Sequence, residues 1–229
     1  MIENPAIPLV VFPLAAYLIG STPFGMIIAA CKGVDLRRCG SGNVGATNVG
    51  RVLGRRWGYL CFFLDLAKGL IPAAAAGAML HPQEGVPSLL CQAAWVGVGL
   101  GAIIGHVFTF WLKFRGGKGV ATALGVVLGM FPYFTYAGLI SLAVWIAVTL
   151  VSRYVSLGSI VAAVAFLPLF AAFNWQRLAE LWPLCAFAAV VTVLIVLRHR
   201  GNIRRLVAGT ENRITRPWRR AGRRPAGLT

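Results

Sequence analysis

Tyr154-Val-Ser-Leu-Gly-Ser-Ile-Val-Ala-Ala-Val-Ala-Phe-Leu-Pro-Leu-Phe-Ala-Ala-Phe173 carries no charged side chain, with Arg153 immediately before it and Arg177 shortly after. A helix of that length rises about 30 Å, the thickness of the hydrocarbon core of a bilayer. In water, a helix apolar on every face needs a surrounding core with polar surface to spare. The rest of the chain has none: 58% of its 229 residues are hydrophobic and 12% are charged, against about 25% charged in soluble domains. The surplus must face lipid, and the chain is predicted to be an all-α, polytopic membrane helical bundle.

Working outward from this segment, roughly 7–31, 57–80, 87–112, 118–131, 133–151 and 181–197 are also apolar enough to span, which predicts about seven transmembrane helices. The fourth is short and carries Gly117, Gly119, Gly125 and Gly129, so a tilted or broken helix is expected there. Within Gly20-Ser-Thr-Pro-Phe-Gly25, Ser21 and Pro23 predict a kink in the first span that lets another backbone approach. Asp65 and Lys68 stand three apart inside the second span, a spacing that permits an internal ion pair.

The charges divide the connections into two sets. Of the 22 basic residues, all but Lys68 and Arg177 fall in the segments after the first, third, fifth and seventh spans. By the positive-inside rule the N-terminus is outside and the C-terminus inside. Residues 1–204 are expected to form the membrane-embedded unit and 205–229 a basic cytoplasmic tail. The Arg219-Arg220-Ala221-Gly222-Arg223-Arg224 run suits anionic lipid headgroups. No folded basic domain accompanies the charge, so no nucleic acid is expected as a partner. Met1 to Pro8 include Glu3 and no basic n-region, so the first apolar run is read as a helix that stays. Cys31, Cys39, Cys61, Cys91 and Cys185 follow neither CxxC nor a Cys/His pattern; they read as apolar fillers, with no metal site.

Polar motifs gather on the basic side. Gly40-Ser-Gly-Asn-Val-Gly-Ala-Thr-Asn-Val-Gly50 followed by Arg51 reads as an anion site. Gly40, Gly42, Gly45 and Gly50 let the backbone turn its N–H groups toward one cavity, Ser41, Asn43, Thr47 and Asn48 add neutral donors, and Arg51 adds a forked cation. The loop is not GxxxxGK[ST], so nucleotide hydrolysis is not indicated. Gly116-Gly-Lys-Gly119 flanks Lys118 with glycines and leads into a helix, a second phosphate-binding element. In Arg198-His-Arg-Gly-Asn202, His199 and Asn202 share a helix face, and Arg205 with Glu211 is expected to complete a network with neighbouring loops. Ser156 and Ser159 stand at the entry of the sixth span. Three such elements at one surface fit a substrate with phosphate groups and a lipid-soluble part. Two classes of function answer that description: an enzyme of phosphorylated lipids, or a transporter of a phosphorylated organic anion.

Taken together, Gly20-Ser-Thr-Pro-Phe-Gly25, Gly40 to Asn48, Gly105-His-Val-Phe108 with Gly116 to Thr122, Ser156-Leu-Gly-Ser159, and His199-Arg-Gly-Asn-Ile203 with Gly209-Thr-Glu211 closely resemble the bacterial PlsY family. These are the membrane glycerol-3-phosphate acyltransferases that use acyl-phosphate as donor. The stretches run in the family's order; the departures are Thr22, where isoleucine is usual, and a longer Arg-rich tail. The resemblance implies seven helices, an outside N-terminus and a multi-pass place in the bacterial cytoplasmic (inner) membrane with the site on the cytoplasmic side. It implies transfer of a fatty acyl group from acyl-phosphate to the 1-hydroxyl of sn-glycerol 3-phosphate, giving lysophosphatidic acid and inorganic phosphate. Acyl-CoA and acyl-carrier protein are not direct donors in the family. The His-x-x-x-x-Asp dyad of other glycerolipid acyltransferases is absent, and no Asp lies four or five residues after His81, His106 or His199.

By that likeness Ser41, Arg51, Lys118, Ser156, His199 and Asn202 line the polar site. Lys118 is expected to neutralise the leaving phosphate while Ser41 and the loop amides hold it. Arg51, helped by His199, would grip glycerol phosphate, and Asn202 its hydroxyls; which residue meets which phosphate is interchangeable. Either a phosphate oxygen of the donor or His199 takes the proton. No cofactor is required, and the enzyme is expected to act as a monomer.

Overall fold

Each long apolar run is helical, and the breaks fall where glycine, proline or charge interrupts it. The structure, a computed structural model, describes residues 5–80 and 85–214. Glu3, His81, Glu84 and the arginine run from Arg219 to Arg224 lie outside the described residues. A π-helical turn, Ile7–Val11, runs into α1 (Phe12–Gly20); α2 (Phe24–Ala30), α3 (Ala46–Leu53), α4 (Arg55–Leu80), α5 (Leu89–Val107) and α6 (Val120–Gly129) follow. The remainder is α7 (Thr135–Ser152), α8 (Val155–Phe173), α9 (Trp182–Arg198) and α10 (Arg200–Val207). Among the described residues there is no strand.

Among the described residues, five stretches are long and apolar enough to cross a bilayer: Ile7–Ala30, Arg55–Leu80, Leu89–Leu112, Thr135–Ser152 and Val155–Phe173. The pair α9 and α10 meets the same standard only together, with a bend of 55° between them. The chain is thus a multi-pass membrane protein with five or six full-length candidates. The expected fourth span is a ten-residue helix, about 15 Å long and half a crossing. Leu14, Phe63, Ile71, Leu150 and Val151 are exposed on the outer faces, where an apolar side chain needs lipid as its solvent.

In lipid the hydrophobic effect does not press helices together, so contact depends on close backbone approach. Glycine supplies it. A methyl group on Gly69 of α4 would lie 2.2 Å from the Thr122 carbonyl oxygen of α6, and one on Gly125 of α6 would lie 2.0 Å from the Leu66 carbonyl oxygen of α4. At the α1–α5 contact, a methyl on Gly105 would lie 2.3 Å from the Tyr17 carbonyl oxygen. Away from these seams the core is aromatic, with Trp95, Phe134, Phe170 and Phe187 fully buried.

The predicted kink is a break, with Ser21-Thr-Pro23 separating α1 from α2. Carbonyls freed inside an apolar bundle must find donors. Lys68 Nζ donates to the Thr22 carbonyl at 2.8 Å, and the Thr109 hydroxyl donates to the Ser21 carbonyl. The expected ion pair forms beside them: Lys68 Nζ lies 2.8 Å from Asp65 Oδ1, with both side chains under 5% exposed, and His106 Nδ1 approaches the same oxygen at 3.5 Å. One cation therefore compensates a buried carboxylate and secures the break.

The connection after α10 returns to the bundle. Arg213 Nε donates to the Tyr154 hydroxyl at 2.7 Å, and the Ile214 amide donates to the Arg153 carbonyl at 2.8 Å. Packed structure accordingly continues beyond position 204, through α10 and up to Ile214.

Lys68→Met leaves the Asp65 carboxylate buried without its ammonium, which costs about 3–5 kcal/mol. The thermal unfolding midpoint in detergent should fall sharply for this variant and recover a large part of the loss in Asp65→Leu/Lys68→Met. Equal destabilisation in the single and double variants would show that the pair has no such role.

Candidate active site

The loop before α3 is shaped by two glycines in the left-handed region, Gly40 (φ 61°) and Gly42 (φ 70°), where a side chain would be strained. Asn48, buried at the start of α3, ties it together. Its amide nitrogen donates to the Asn43 and Cys39 carbonyls at 2.8 and 3.1 Å, and its Oδ1 accepts from the Ser41 amide at 2.8 Å and from Arg51 at 3.5 Å. The Gly42 amide donates to the Cys39 carbonyl at 3.0 Å, and that of Gly45 to Asn43 Oδ1 at 2.9 Å. Among the backbone donors expected to cradle an oxyanion, the amides of Ser41, Gly42 and Gly45 are therefore bonded within the loop. From this segment Ser41, Asn43, Gly45, Ala46, Thr47, Asn48 and Arg51 line the cavity.

The glycines around Lys118 act in the same way. The Gly116 and Gly117 amides donate to the Val107 and His106 carbonyls at 3.0 and 3.1 Å, and their own carbonyls face the Arg198 guanidinium at 3.5 and 3.2 Å. A methyl group on Gly117 would lie 2.2 Å from His106 Nε2, so only glycine fits against that ring. Gly119 (φ 84°) then starts α6, whose first residues line the cavity. Gly40, Gly42, Gly116 and Gly117, expected as direct substrate contacts, are not lining residues; they set the loops that carry Ser41, Arg51 and Lys118.

α8, α9 and α10 close the third side. Lys118 Nζ donates to Asn202 Oδ1 at 2.5 Å, and Asn202 Nδ2 donates to Glu211 Oε1 at 2.7 Å. Glu211 also accepts from Arg205 Nε at 2.7 Å and from the Ser156 hydroxyl at 3.0 Å. Ser156 thus serves this network. His199 Nδ1 lies 2.8 Å from the Ile195 carbonyl. A carbonyl only accepts, so the contact assigns the proton to Nδ1 and leaves Nε2 as the acceptor.

These side chains surround a cavity of about 470 Å³. Arg51, Lys118, Arg198 and Arg205 line it against Glu211, so positive charge is in excess at this end. Burial pushes the Lys118 ammonium down to about 8; Glu211 opposes the shift, and Arg205, Arg51 and Arg198 add to it. Burial tends to raise the Glu211 carboxyl, but hydrogen bonds from Asn202, Arg205 and Ser156 outweigh this and hold it below its usual range. The other end of the cavity is apolar, lined by Val127, Gly138, Leu142, Trp145 and Phe166. A polar head and an apolar tail fit together in one connected space.

The structure brings together the expected Ser41, Asn43, Thr47, Asn48, Arg51, Lys118, Gly119, Ser156, His199, Asn202 and Arg205. Two features were not foreseen. Arg198 read as a charge ending a span, and nothing local marks it as a clamp on the Lys118 loop. The residues of the apolar wall were also not legible, although a groove between spans for the acyl chain is expected, because a groove residue and a lipid-facing residue have the same composition.

Known proteins resemble the chain in sequence and in fold. Residues 10–209 match the family model described as glycerol-3-phosphate acyltransferase. The glycerol-3-phosphate acyltransferase of Aquifex aeolicus is 47% identical over 211 residues, covering 91% of this chain and 98% of that protein. The Geobacter sulfurreducens enzyme of the same name is 45% identical over 199 residues, covering 86% and 93%. Two crystal structures of PlsY (YgiH), an integral membrane glycerol 3-phosphate acyltransferase, superimpose on the chain. The glycerol 3-phosphate form has a TM-score of 0.78 at 42% identity, covering 90% of this chain and 96% of that one; the lysophosphatidic acid form has 0.76 at 40%, covering 90% and 95%. The chain belongs to the PlsY family of integral membrane glycerol-3-phosphate acyltransferases.

Proposed function

We propose that the protein transfers a fatty acyl group from acyl-phosphate to the 1-hydroxyl of sn-glycerol 3-phosphate, giving lysophosphatidic acid and inorganic phosphate without an acyl-enzyme intermediate. One observation carries this reading: a cation-rich, polar cavity end is continuous with an apolar groove, and no activated nucleophile stands between them. Among the described residues no cysteine lines the cavity, and no hydrogen bond joins a cavity serine to a histidine. An enzyme nucleophile is unnecessary if the donor, a mixed anhydride, and the acceptor are held at attack distance.

In this mechanism the glycerol hydroxyl oxygen attacks the acyl carbonyl carbon, the carbon–oxygen bond to phosphate breaks, and the leaving phosphate takes the hydroxyl proton. Lys118 and Ser41 hold that phosphate and offset the charge it gains. Arg51 holds the phosphate of the acceptor, with Arg205 completing the cationic wall. Asn202 and His199 Nε2 accept from the glycerol hydroxyls and orient them. The site faces the cytoplasm, the N-terminus lies outside, and the enzyme works as a monomer. The packed unit includes the described residues up to Ile214.

Purified protein in detergent, given synthetic acyl-phosphate and glycerol 3-phosphate, should release phosphate and lysophosphatidic acid in equal amounts. Turnover without a sealed compartment excludes a role restricted to transport. Lys118→Ala should lower kcat by about 10²–10³, and full turnover in that variant would remove the central assignment.

The pH dependence follows from the same lysine. Lys118 must be protonated, and in the free enzyme it titrates near 8. Consequently kcat/KM should fall as pH rises through about 8, and Lys118→Arg should lose that limb because a guanidinium stays charged. In His199→Gln, disappearance of an acid-side limb present in the parent would move the proton from the donor phosphate to the histidine.

Orientation has its own test. In spheroplasts of a strain expressing the protein without its exposed native cysteines, a membrane-impermeant maleimide should label Trp175→Cys at once and Arg56→Cys only after permeabilisation. The reverse pattern would put the cavity mouth outside the cell.

A further inference from the structure

Resting on the donor assignment above, the geometry points to Phe166 as the residue that limits how far an acyl chain runs straight into the groove, and so as a determinant of chain-length preference. The cavity extends along α8 from Ser156 beside the phosphate end to Phe166 at the apolar end. Ten helical residues separate the two, a depth of about 15 Å. Carbon–carbon bonds of about 1.5 Å advance roughly 1.25 Å each along an extended chain, so about twelve carbons fit before the floor.

Three helices build that floor. Val127 of α6 and Gly138 of α7 line the cavity there beside Phe166, and a methyl group on Gly138 would lie 2.4 Å from Val127 Cγ1. The glycine lets Val127 close the gap from the α6 side. Beneath Phe166 the space is filled: its ring centroid lies 5.5 Å from that of Phe134, which packs on Phe170 at 4.7 Å and on Phe187 at 5.6 Å. Phe134, Phe170 and Phe187 are completely buried and do not line the cavity. The floor is backed by close-packed rings and cannot yield cheaply.

Discrimination by this floor is steric. A donor chain arrives from lipid, which is as apolar as the groove, so an added methylene gains little from leaving water. A chain longer than the groove has to bend toward the lipid, and one that ends short of Phe166 leaves unfilled space.

The test compares kcat/KM for acyl-phosphates of eight to eighteen carbons in the parent enzyme, Phe166→Ala and Ala162→Phe. Ala162 lines the same wall nearer the mouth. Phe166→Ala should move the preferred length two to four carbons longer, and Ala162→Phe should shorten it, so that the ratio of sixteen-carbon to ten-carbon donor changes at least fivefold in opposite directions. Phe166→Leu, a milder change, should shift the profile the same way as alanine by a smaller step if the alanine variant does not fold. An unshifted profile, or an equal loss at every length, overturns the role of Phe166 while leaving the acyl-phosphate reaction standing. No turnover with any acyl-phosphate overturns both.

Discussion

Lys118 donates to Asn202, Asn202 donates to Glu211, and Glu211 is shared with Arg205 and Ser156; the site depends on this short chain of contacts. It links the loop before α6 to α8, α10 and the returning segment, and it leaves the cations unbalanced. A single carboxylate engages Arg205 closely, whereas Lys118 has a neutral amide oxygen as its partner and Arg51 has another. Keeping an ammonium half-desolvated with only a neutral partner is unfavourable, which is why its proton is more easily lost than usual. An oxyanion entering the cavity removes that penalty. On the reaction proposed above, affinity for phosphate rests in part on this missing negative charge.

The glycines have a different function from those of a P-loop. A P-loop uses glycine so that N–H groups can point at the ligand. In both glycine-rich loops of this chain, several of those donors are bonded to the protein itself, to Asn48 and the Cys39 carbonyl in one case and to the end of α5 in the other. Glycine serves as a spacer that lets a cation-bearing loop lie flat against a helix, as Gly117 does on the His106 ring. The cations then project from well-fixed backbone. A transfer reaction that relies on holding two substrates together gains from this, because the loss of freedom occurs on folding and not at the transition state.

Much of the site could be read from the residues because its chemistry is local. Ser41, Arg51, Lys118, Ser156, His199 and Asn202 are polar residues beside long apolar runs, so their cost of burial marks them out. The buried Asp65–Lys68 pair was legible for the same reason. Which N–H groups of the glycine loops stay unbonded was not legible, since the sequence shows where they occur but not which carbonyl has already taken them. Arg205 and Glu211 look like tail charges in the sequence until α10 and the return to Tyr154 bring them beside Ser156. The apolar floor left no trace in composition: Gly138 and Phe166 differ from their lipid-facing neighbours only in what they touch.

The half-length of α6 ties these observations together. A full transmembrane helix at this position would fill the bundle from face to face, whereas a ten-residue helix leaves room for the preceding loop to fold inward. Folding inward exposes backbone carbonyls, and an apolar bundle tolerates them only where donors are at hand. The Thr109 hydroxyl, the Tyr17 hydroxyl on the Phe108 carbonyl and Lys68 on the Thr22 carbonyl supply those donors at the places where the first span breaks and the fifth helix ends. Asp65, paired with Lys68 and approached by His106, also borders the cavity, so the group that stabilises the breaks adjoins the proposed reaction space. The buried ion pair in α4 is therefore best understood as the condition for a broken bundle, and the broken bundle as the condition for a reaction cavity inside a membrane protein.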